Sequence, residues 1–341
     1  MEVTSEKKSR SIDFKKWMMD GGIYLVLFIL LSIIIIKEPS FLSARNFRNI
    51  LTQSSVRTIL ALGVAGIIVT QGTDLSAGRQ VGLSAVVGAT LLQAVTNVNK
   101  VFPQIGELPI PLVILIVTIA GAFIGLLNGF VVAHLSVTPF IATLGSSIVV
   151  YGATSLYFDY VGASPIAGFD SRFTEFSQGF FSVAGMRVNY LIIYAIIATI
   201  FIWILWNKTI FGKNLFAVGG NPEAAKVSGV NVKKTILIVY MLSGIFYAFG
   251  GLLEAGRVGS ATNNLGNMYE LDAIAACVVG GVSFSGGVGT VPGVVTGVLI
   301  FTVINYGLTY IGVNPYWQFI IKGVIIVMAV ALDTMKYVKK K

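Results

Sequence analysis

Ten apolar stretches, each close to the roughly 20 residues needed to cross the hydrocarbon of a bilayer, follow one another along this chain. They lie at about 17–36, 56–71, 80–96, 111–134, 139–158, 190–206, 235–254, 269–282, 293–310 and 316–334. No soluble domain can be cut out between them, so residues 1–341 are expected to form one membrane domain. Only 11% of the residues are charged, against roughly a quarter in a chain whose surface faces water. Lipid therefore faces most of this one. The expected fold class is an all-α polytopic membrane protein with about ten transmembrane helices.

The first run follows a basic stretch, Lys7, Lys8, Arg10, Lys15 and Lys16, which is the layout of a signal peptide. No small-residue cleavage site comes after it, since Ile33 to Ile36 leads into Lys37, Glu38 and Pro39. It reads as a retained first helix. With the N-terminus inside, the segments placed on the cytoplasmic side hold 15 Lys and Arg against 8 outside, which favours an N-in, C-in topology. The exception is the segment carrying Arg45, Arg48 and Arg57, placed outside. Phe47, Ile50 and Leu51 alternate there with polar residues, the pattern of an amphipathic helix lying on the membrane surface after an N-cap at Ser43. The net charge of +9 sits at helix flanks, so it reports topology and no nucleic-acid partner. The single cysteine, Cys277, rules out an intrachain disulfide and a cysteine metal cluster.

A weak duplication joins the two halves. Thr58-Ile59-Leu60 with Ala65-Gly66-Ile67 echoes Thr235-Ile236-Leu237 with Ser243-Gly244-Ile245. Gly121, Gly125 and Gly129 share their small-xxx-small spacing with Gly289, Gly293 and Gly297, and Val137-Thr138-Pro139-Phe140 parallels Val313-Asn314-Pro315-Tyr316. Each pair falls on opposite sides of the membrane in the proposed topology, as an inverted five-plus-five repeat requires.

The most informative segment is the cytoplasmic loop at 211–230. Asn221 is a good N-cap, Pro222 suits the first helical position, and Glu223 favours the positive end of the helix dipole. Gly229 can end the helix in a left-handed cap. A two-turn, alanine-faced helix held outside the bilayer could seat in a cleft of a partner protein, or be a well-capped connector.

Gly220-Asn221-x-x-Ala224-Ala225-x-x-Ser228-Gly229-Val230 resembles the coupling-helix signature of the ribose/galactose branch of ABC permeases. Gly72-Thr73-Asp74-Leu75-Ser76-Ala77-Gly78 is similar to that branch's Gly-x-Asp-Leu-Ser-x-Gly motif. Leu271 to Ala276 with Gly280-Gly281-x-Ser283-x-x-Gly286-Gly287-x-Gly289 resembles a third block. The likeness covers essentially the whole chain. Thr73, Arg79-Gln80 and Gly162 to Ile166 resemble the galactose/methyl galactoside subgroup more than the ribose permeases.

The resemblance implies an alternating-access sugar permease in the bacterial inner membrane, working as a homodimer. Its implied partners are a cytoplasmic ATPase with two nucleotide-binding modules, which uses ATP and Mg, and a periplasmic sugar-binding protein delivering to the outer face, where the 159–189 loop lies. Gly220, Asn221, Pro222, Glu223, Ala224, Ala225, Ser228 and Gly229 become the ATPase-coupling residues. The chain carries no phosphate-binding loop of its own, since Gly212-Lys213 is followed by Asn214 and lacks the upstream glycine. No catalytic residue, resident cofactor or metal is expected.

Polar groups inside a membrane are costly and mark candidates for function. A wet path for sugar hydroxyls would draw on Asp74, Ser76, Asn128, Glu254, Asp272 and Asn305. Asp272 or Glu254 could instead pair with Lys322 or Arg257. Tyr306, Tyr310, Tyr316 and Trp317 read as an interfacial belt. The alternatives are a permease for ribose or another monosaccharide, and a proton-coupled secondary sugar transporter, which would need no coupling helix. An intramembrane enzyme lacks the HExxH and Gly-x-Ser-x-Gly patterns it would use.

Overall fold

The computed structural model describes residues 27–183 and 186–338. The basic stretch at 7–16, residues 17–26 of the first expected span and the lysines at 339–341 lie outside the described residues. Each of the ten apolar runs holds a helix. In chain order the helices of the first half are α1 (Leu27–Lys37), α2 (Ala44–Val69), α3 (Ala77–Leu91), α4 (Ile110–Leu135), α5 (Pro139–Tyr160) and the small α6 (Ser171–Gln178). The second half holds α7 (Tyr190–Lys208), α8 (Ile210–Gly220), α9 (Pro222–Val227), α10 (Val232–Val258), α11 (Tyr269–Val279), α12 (Val291–Tyr310) and α13 (Pro315–Val338).

Helix is the form these runs must take, because hydrocarbon offers backbone N–H and C=O groups no partner. Six of the helices, α2, α4, α5, α7, α10 and α12, are long and apolar enough to cross a membrane. The chain is an all-helical integral membrane protein. Helices α2 and α10 form its centre: 83% and 61% of their apolar windows are buried, against 22% for α4, 17% for α5 and 22% for α7. The last three turn apolar faces outward.

The sequence expects full spans at 80–96 and 269–282, and the structure departs from it there. Helices α3 and α11 have 15 and 11 residues, hence rise about 22 and 16 Å, well short of a hydrocarbon core about 30 Å thick. Both are short because the chain before each has doubled back into the bundle. After α2 it turns at Gln71, in the left-handed region at φ 64°, and re-enters as residues 72–76. After α10 it turns at Gly259, φ 82°, and pairs β4 (Ser260–Ala261) with β1 (Ile166–Ala167). It reaches α11 through Met268, also left-handed at φ 63°. The two short helices then begin against one another. A Cβ on Gly78 would strike the Gly266 carbonyl and the Glu270 carboxylate, and one on Gly82 would lie 2.6 Å from the Leu265 carbonyl oxygen.

Both glycine ladders pack within this chain. Gly121 and Gly125 bring α4 against the backbone of α10 at Gly244 and Tyr240, and Gly293 and Gly297 bring α12 against α11 at Gly280 and Ala276. The parallel tetrapeptides at 137–140 and 313–316 lead into α5 and α13, each opening on its proline.

The surface helix expected after Ser43 is not a separate element. Ser43 does cap a helix, accepting from the Asn46 N–H at 3.4 Å, but nothing from Ala44 to Val69 breaks it, so cap and span are one rod. Arg57 consequently sits inside the bundle. Tyr306 and Tyr310, read as a belt, are instead tied to the start of α2: Tyr306 donates to Asn46 Oδ1 at 2.8 Å, and the Tyr310 hydroxyl meets that of Ser40 at 2.8 Å. Tyr316 and Trp317 stay exposed.

Segment 159–189 carries β1, α6 and a hairpin of β2 (Phe180–Val183) with β3 (Met186–Asn189). Asp170 caps α6, accepting from the Arg172 N–H at 2.8 Å and from its guanidinium at 2.7 Å. The Arg172 guanidinium holds the Asp170 carboxyl below the usual carboxylate range. A lowered folded value adds stability above the unfolded pKa near 3.9, and that stability is lost as pH falls through the lowered value. Asp170→Ala is expected to speed hydrogen exchange at 171–178 about fivefold, matching the ~1 kcal/mol of an N-cap. The wild type should show the same acceleration only below about pH 4. Equal exchange in the two proteins at neutral pH would remove the cap from the account.

Candidate functional site

Three groups of the residues singled out by the sequence come together in the structure, at different heights of the bundle. The first is the α8–α9 elbow. Asn221 ends α8 with its backbone N–H on Ala217 at 3.1 Å and opens α9 with its side chain, which accepts from the Ala224 N–H at 3.0 Å. Pro222 occupies the first turn with Glu223, and Lys226 the last. The Ser228 hydroxyl donates back to the Ala224 carbonyl at 2.9 Å. Gly229 takes φ 85°, which lets the Val230 N–H reach Ala225 at 3.0 Å. Local capping chemistry alone produces this six-residue helix, with its alanine face divided. Ala225 is buried, while Ala224, Val227 and Ser228 point outward, Val227 at 90% exposure.

The elbow is wired into the bundle at Gly219 and Gly220. Gln71 donates to the Gly219 carbonyl at 2.7 Å, and the Gly287 N–H donates to Val69 at 2.9 Å. A Cβ on Gly219 would strike the Val69 carbonyl, and one on Gly287 would sit 2.8 Å from the Gly220 nitrogen. Thus the end of α2, the end of α8 and the glycine-rich turn between α11 and α12 meet at one junction, with α9 projecting from it.

The second group braces the re-entrant segment before α3. The Ser76 hydroxyl donates to Asp74 Oδ1 at 2.6 Å and accepts from Gln80 at 2.9 Å and Asn128 at 3.0 Å. The Leu75 N–H donates to Thr143 Oγ1 at 3.1 Å, and the Tyr240 hydroxyl reaches the Thr73 carbonyl at 3.4 Å. Side chains from α5 and α10 therefore satisfy backbone that has left the helical form, the condition for irregular chain at membrane depth, while Asn128 from α4 holds the Ser76 side chain. Asp74, Ser76, Gln80 and Asn128 are all buried.

The third group is ionic. Glu254 accepts both arms of Arg257, at 2.7 and 2.8 Å, and the Tyr269 hydroxyl at 2.7 Å. Asp272 holds Arg57 from α2 and Lys322 from α13, the latter at 3.0 Å. Arg57 also lies over the Tyr269 ring, 5.0 Å from its centroid. The sequence leaves open which of Asp272 and Glu254 meets Lys322 or Arg257; the structure pairs Asp272 with Lys322 and Glu254 with Arg257. Asn305 on α12 joins neither group, and its Nδ2 has no hydrogen-bond partner among the described residues. No group of three or more His, Cys, Asp or Glu among the described residues could hold a metal ion.

Sequence reasoning misses Arg57, Gln80, Tyr269 and Gln71 as members of these groups. Arg57 and Gln80 open apolar runs and read as flank residues. The one usable signal is that Gln80 stands four residues from Ser76, so the two share a helix face.

The profile of the family described as branched-chain amino acid transport system / permease component matches residues 46–330. The galactose/methyl galactoside import permease protein MglC of Salmonella typhimurium is 71% identical over 96% of this chain and 98% of its own length. That of Haemophilus influenzae is 67% identical over 99% of this chain and 100% of its own. The ribose import permease protein RbsC of Bacillus subtilis is 36% identical over 97% of this chain and 98% of its own. No solved structure gives a significant match.

Proposed function

We propose, from the premise that this chain belongs to the family of branched-chain amino acid transport system permease components, that it is the permease of a galactose/methyl galactoside ABC importer in the bacterial inner membrane. The observation that carries the reading is the 71% identity to such a permease over 96% of the chain. A ribose permease is the runner-up, at 36% identity.

The fold supports a finer statement. Helices α2 to α5 and α10 to α13 follow one plan: a long central helix, an irregular return, a short helix, a long helix, then a helix opening on proline. With α1 and α7 added, ten elements form an inverted five-plus-five repeat, N-in and C-in, in which the short helices are half-spans meeting at mid-height. The permease works as a homodimer with a cytoplasmic ATPase of two nucleotide-binding modules, which binds ATP and Mg, and a periplasmic sugar-binding protein. The ATPase, not this chain, hydrolyses nucleotide.

Residues 220–229 form the coupling helix. Its outward face, Ala224, Val227 and Ser228, docks on the ATPase, while the junction at Gly219, Val69 and Gly287 passes the motion to α2 and to the α11–α12 turn. Nucleotide-loaded ATPase favours one of two permease conformations through its differential contact with α9. Asp74, Ser76 and Asn128 hold the α3 half-span in place, Glu254 and Asp272 lock the second half by ion pairs, and Asn305 serves the path between copies.

Sealed vesicles holding permease and ATPase, with sugar-loaded binding protein on the receiving side, test the assignment. Galactose should accumulate against its gradient only with ATP, and accumulation persisting without the ATPase would make the chain a secondary carrier. Val227→Asp should cut uptake on the order of tenfold, as loss of a central apolar interface contact does, without changing the amount of inserted permease. Unchanged uptake in that variant would displace the coupling contact from α9.

A further inference from the structure

Beyond Asn305, the side chains that meet the sugar are not yet identified, since Asp74, Ser76 and Asn128 are buried. We propose that the solute passes over a polar surface built from Arg79 and Tyr151 with Asn263, Asn264 and Asn267. The proposal rests on the sugar-permease reading and goes further, to the side chains that touch the sugar.

Its depth follows from packing. Gln80 lies beside Gly244, near the middle of α10 (Val232–Val258), and the Val81 carbonyl beside Gly251, two turns further along it. Tyr151 stands near the middle of α5 (Pro139–Tyr160). Arg79 joins these elements: its guanidinium carbon lies 4.2 Å from the Tyr151 ring centroid, and its Nη2 donates to Asn267 Oδ1 at 2.8 Å. Asn263 extends the surface by donating to Ser155 Oγ at 3.1 Å. Tyr151, Asn264 and Asn267 are exposed, and Arg79 and Asn263 partly so. Amides and a guanidinium open to the outside at this height cannot face lipid tails, where polar groups without partners cost several kcal/mol each. They face water.

The chemistry selects a neutral, hydroxyl-rich solute. The Glu270 carboxylate lies against Gly78, close enough for its charge to feel Arg79 without pairing with it, and the rest of the surface is amide and phenol, so nothing here clamps an anion. Asparagine amides both donate and accept, as sugar hydroxyls do. The Tyr151 ring offers a flat apolar face for the C–H side of a pyranose. The half-spans α3 and α11 both begin here, so the positive ends of their dipoles favour the lone pairs of hydroxyl oxygens. The glycines at 78, 82 and 266 let the two half-spans close up enough to bring Arg79 and Asn267 together.

The test uses the complete transporter in vesicles, with the buried native cysteine replaced by Cys277→Ala. Asn264→Cys and Asn267→Cys are treated with a charged, membrane-impermeant methanethiosulfonate reagent, with Ile197→Cys on the apolar outer face of α7 as the lipid-facing control. Both asparagine positions should react in at least one nucleotide state and Ile197→Cys in none. Galactose delivered by the binding protein with ATP should slow the reaction at least threefold. Tyr151→Ala should lower galactose uptake about tenfold, and Tyr151→Phe should retain it. Inertness of both cysteines in nucleotide-free and vanadate-trapped transporter overturns the surface. Reaction without galactose protection, or full uptake in Tyr151→Ala, also overturns it. In each of those cases ATP-driven uptake by the unsubstituted permease leaves the importer assignment standing, whereas its absence removes the assignment itself.

Discussion

Asp272→Asn is expected to cost about 3–5 kcal/mol, the penalty of breaking a buried ion pair from one side, and to remove most folded permease from the membrane. Asp272 lies on α11 and is the shared anion of Arg57 on α2 and Lys322 on α13. Neutralising it leaves two cations side by side within the bundle, with Glu254 already committed to Arg257 through both oxygens. Lys322→Gln alone should be far milder, since Arg57 still balances Asp272. In the Asp272→Asn background Lys322→Gln should restore part of the loss by removing one of the two stranded charges. That sign reversal is what a coupled pair gives and independent sites do not. Thermal aggregation midpoints of the solubilised permease measure all four proteins. An Asp272→Asn permease as stable as the wild type would show that the triad contributes nothing to folding.

The ion pairs illustrate how far the chain discloses itself. Two intramembrane acids and two nearby bases are visible as a charge balance, but which acid meets which base is not. Arg57 is hidden because it stands at the start of an apolar run, where a cation ordinarily marks topology. Its true position depends on α2 continuing unbroken from Ser43, which a good N-cap followed by alternating polar residues does not reveal. The α8–α9 elbow is legible almost atom by atom, since N-cap, first-turn proline and left-handed glycine act over a few residues. The shortness of α3 and α11 is not. The runs at 80–96 and 269–282 have the apolarity of a full crossing, and what shortens α3 and α11 is the doubling back of 72–76 and 259–268, the first of them held by Thr143, Asn128 and Tyr240 from other helices. Asp74, Ser76 and Asn128 can be picked out as polar groups out of place. Their bracing of that return is a tertiary fact with no local signature.

Gly121→Leu is expected to lower the yield of folded permease tenfold or more. A Cβ on Gly121 would strike the Gly244 carbonyl, and one on Gly244 the Gly121 carbonyl. The obstacle is backbone on both sides, so no rotamer change can make room, and one helix has to move outward. Overpacking of this kind costs roughly 1–3 kcal/mol and more where neighbours cannot yield. Here the displacement also opens the contacts of Gly125 with Tyr240 and Gly129 with Leu237 along the same ridge. Close small-residue packing is what drives helices together in lipid, where burial of apolar surface gains nothing. Movement of α4 would in addition withdraw Asn128 from Ser76, a 3.0 Å contact two turns along the helix, and loosen the return that positions α3. Gly145→Leu on α5 is the matched comparison, because a Cβ there meets nothing within 4 Å, and its monomer should fold with native stability. Fluorescence-detected size exclusion and melting of the purified chains compare the two. Native yield and melting for Gly121→Leu would mean that the α4–α10 spacing is set by something other than these glycines.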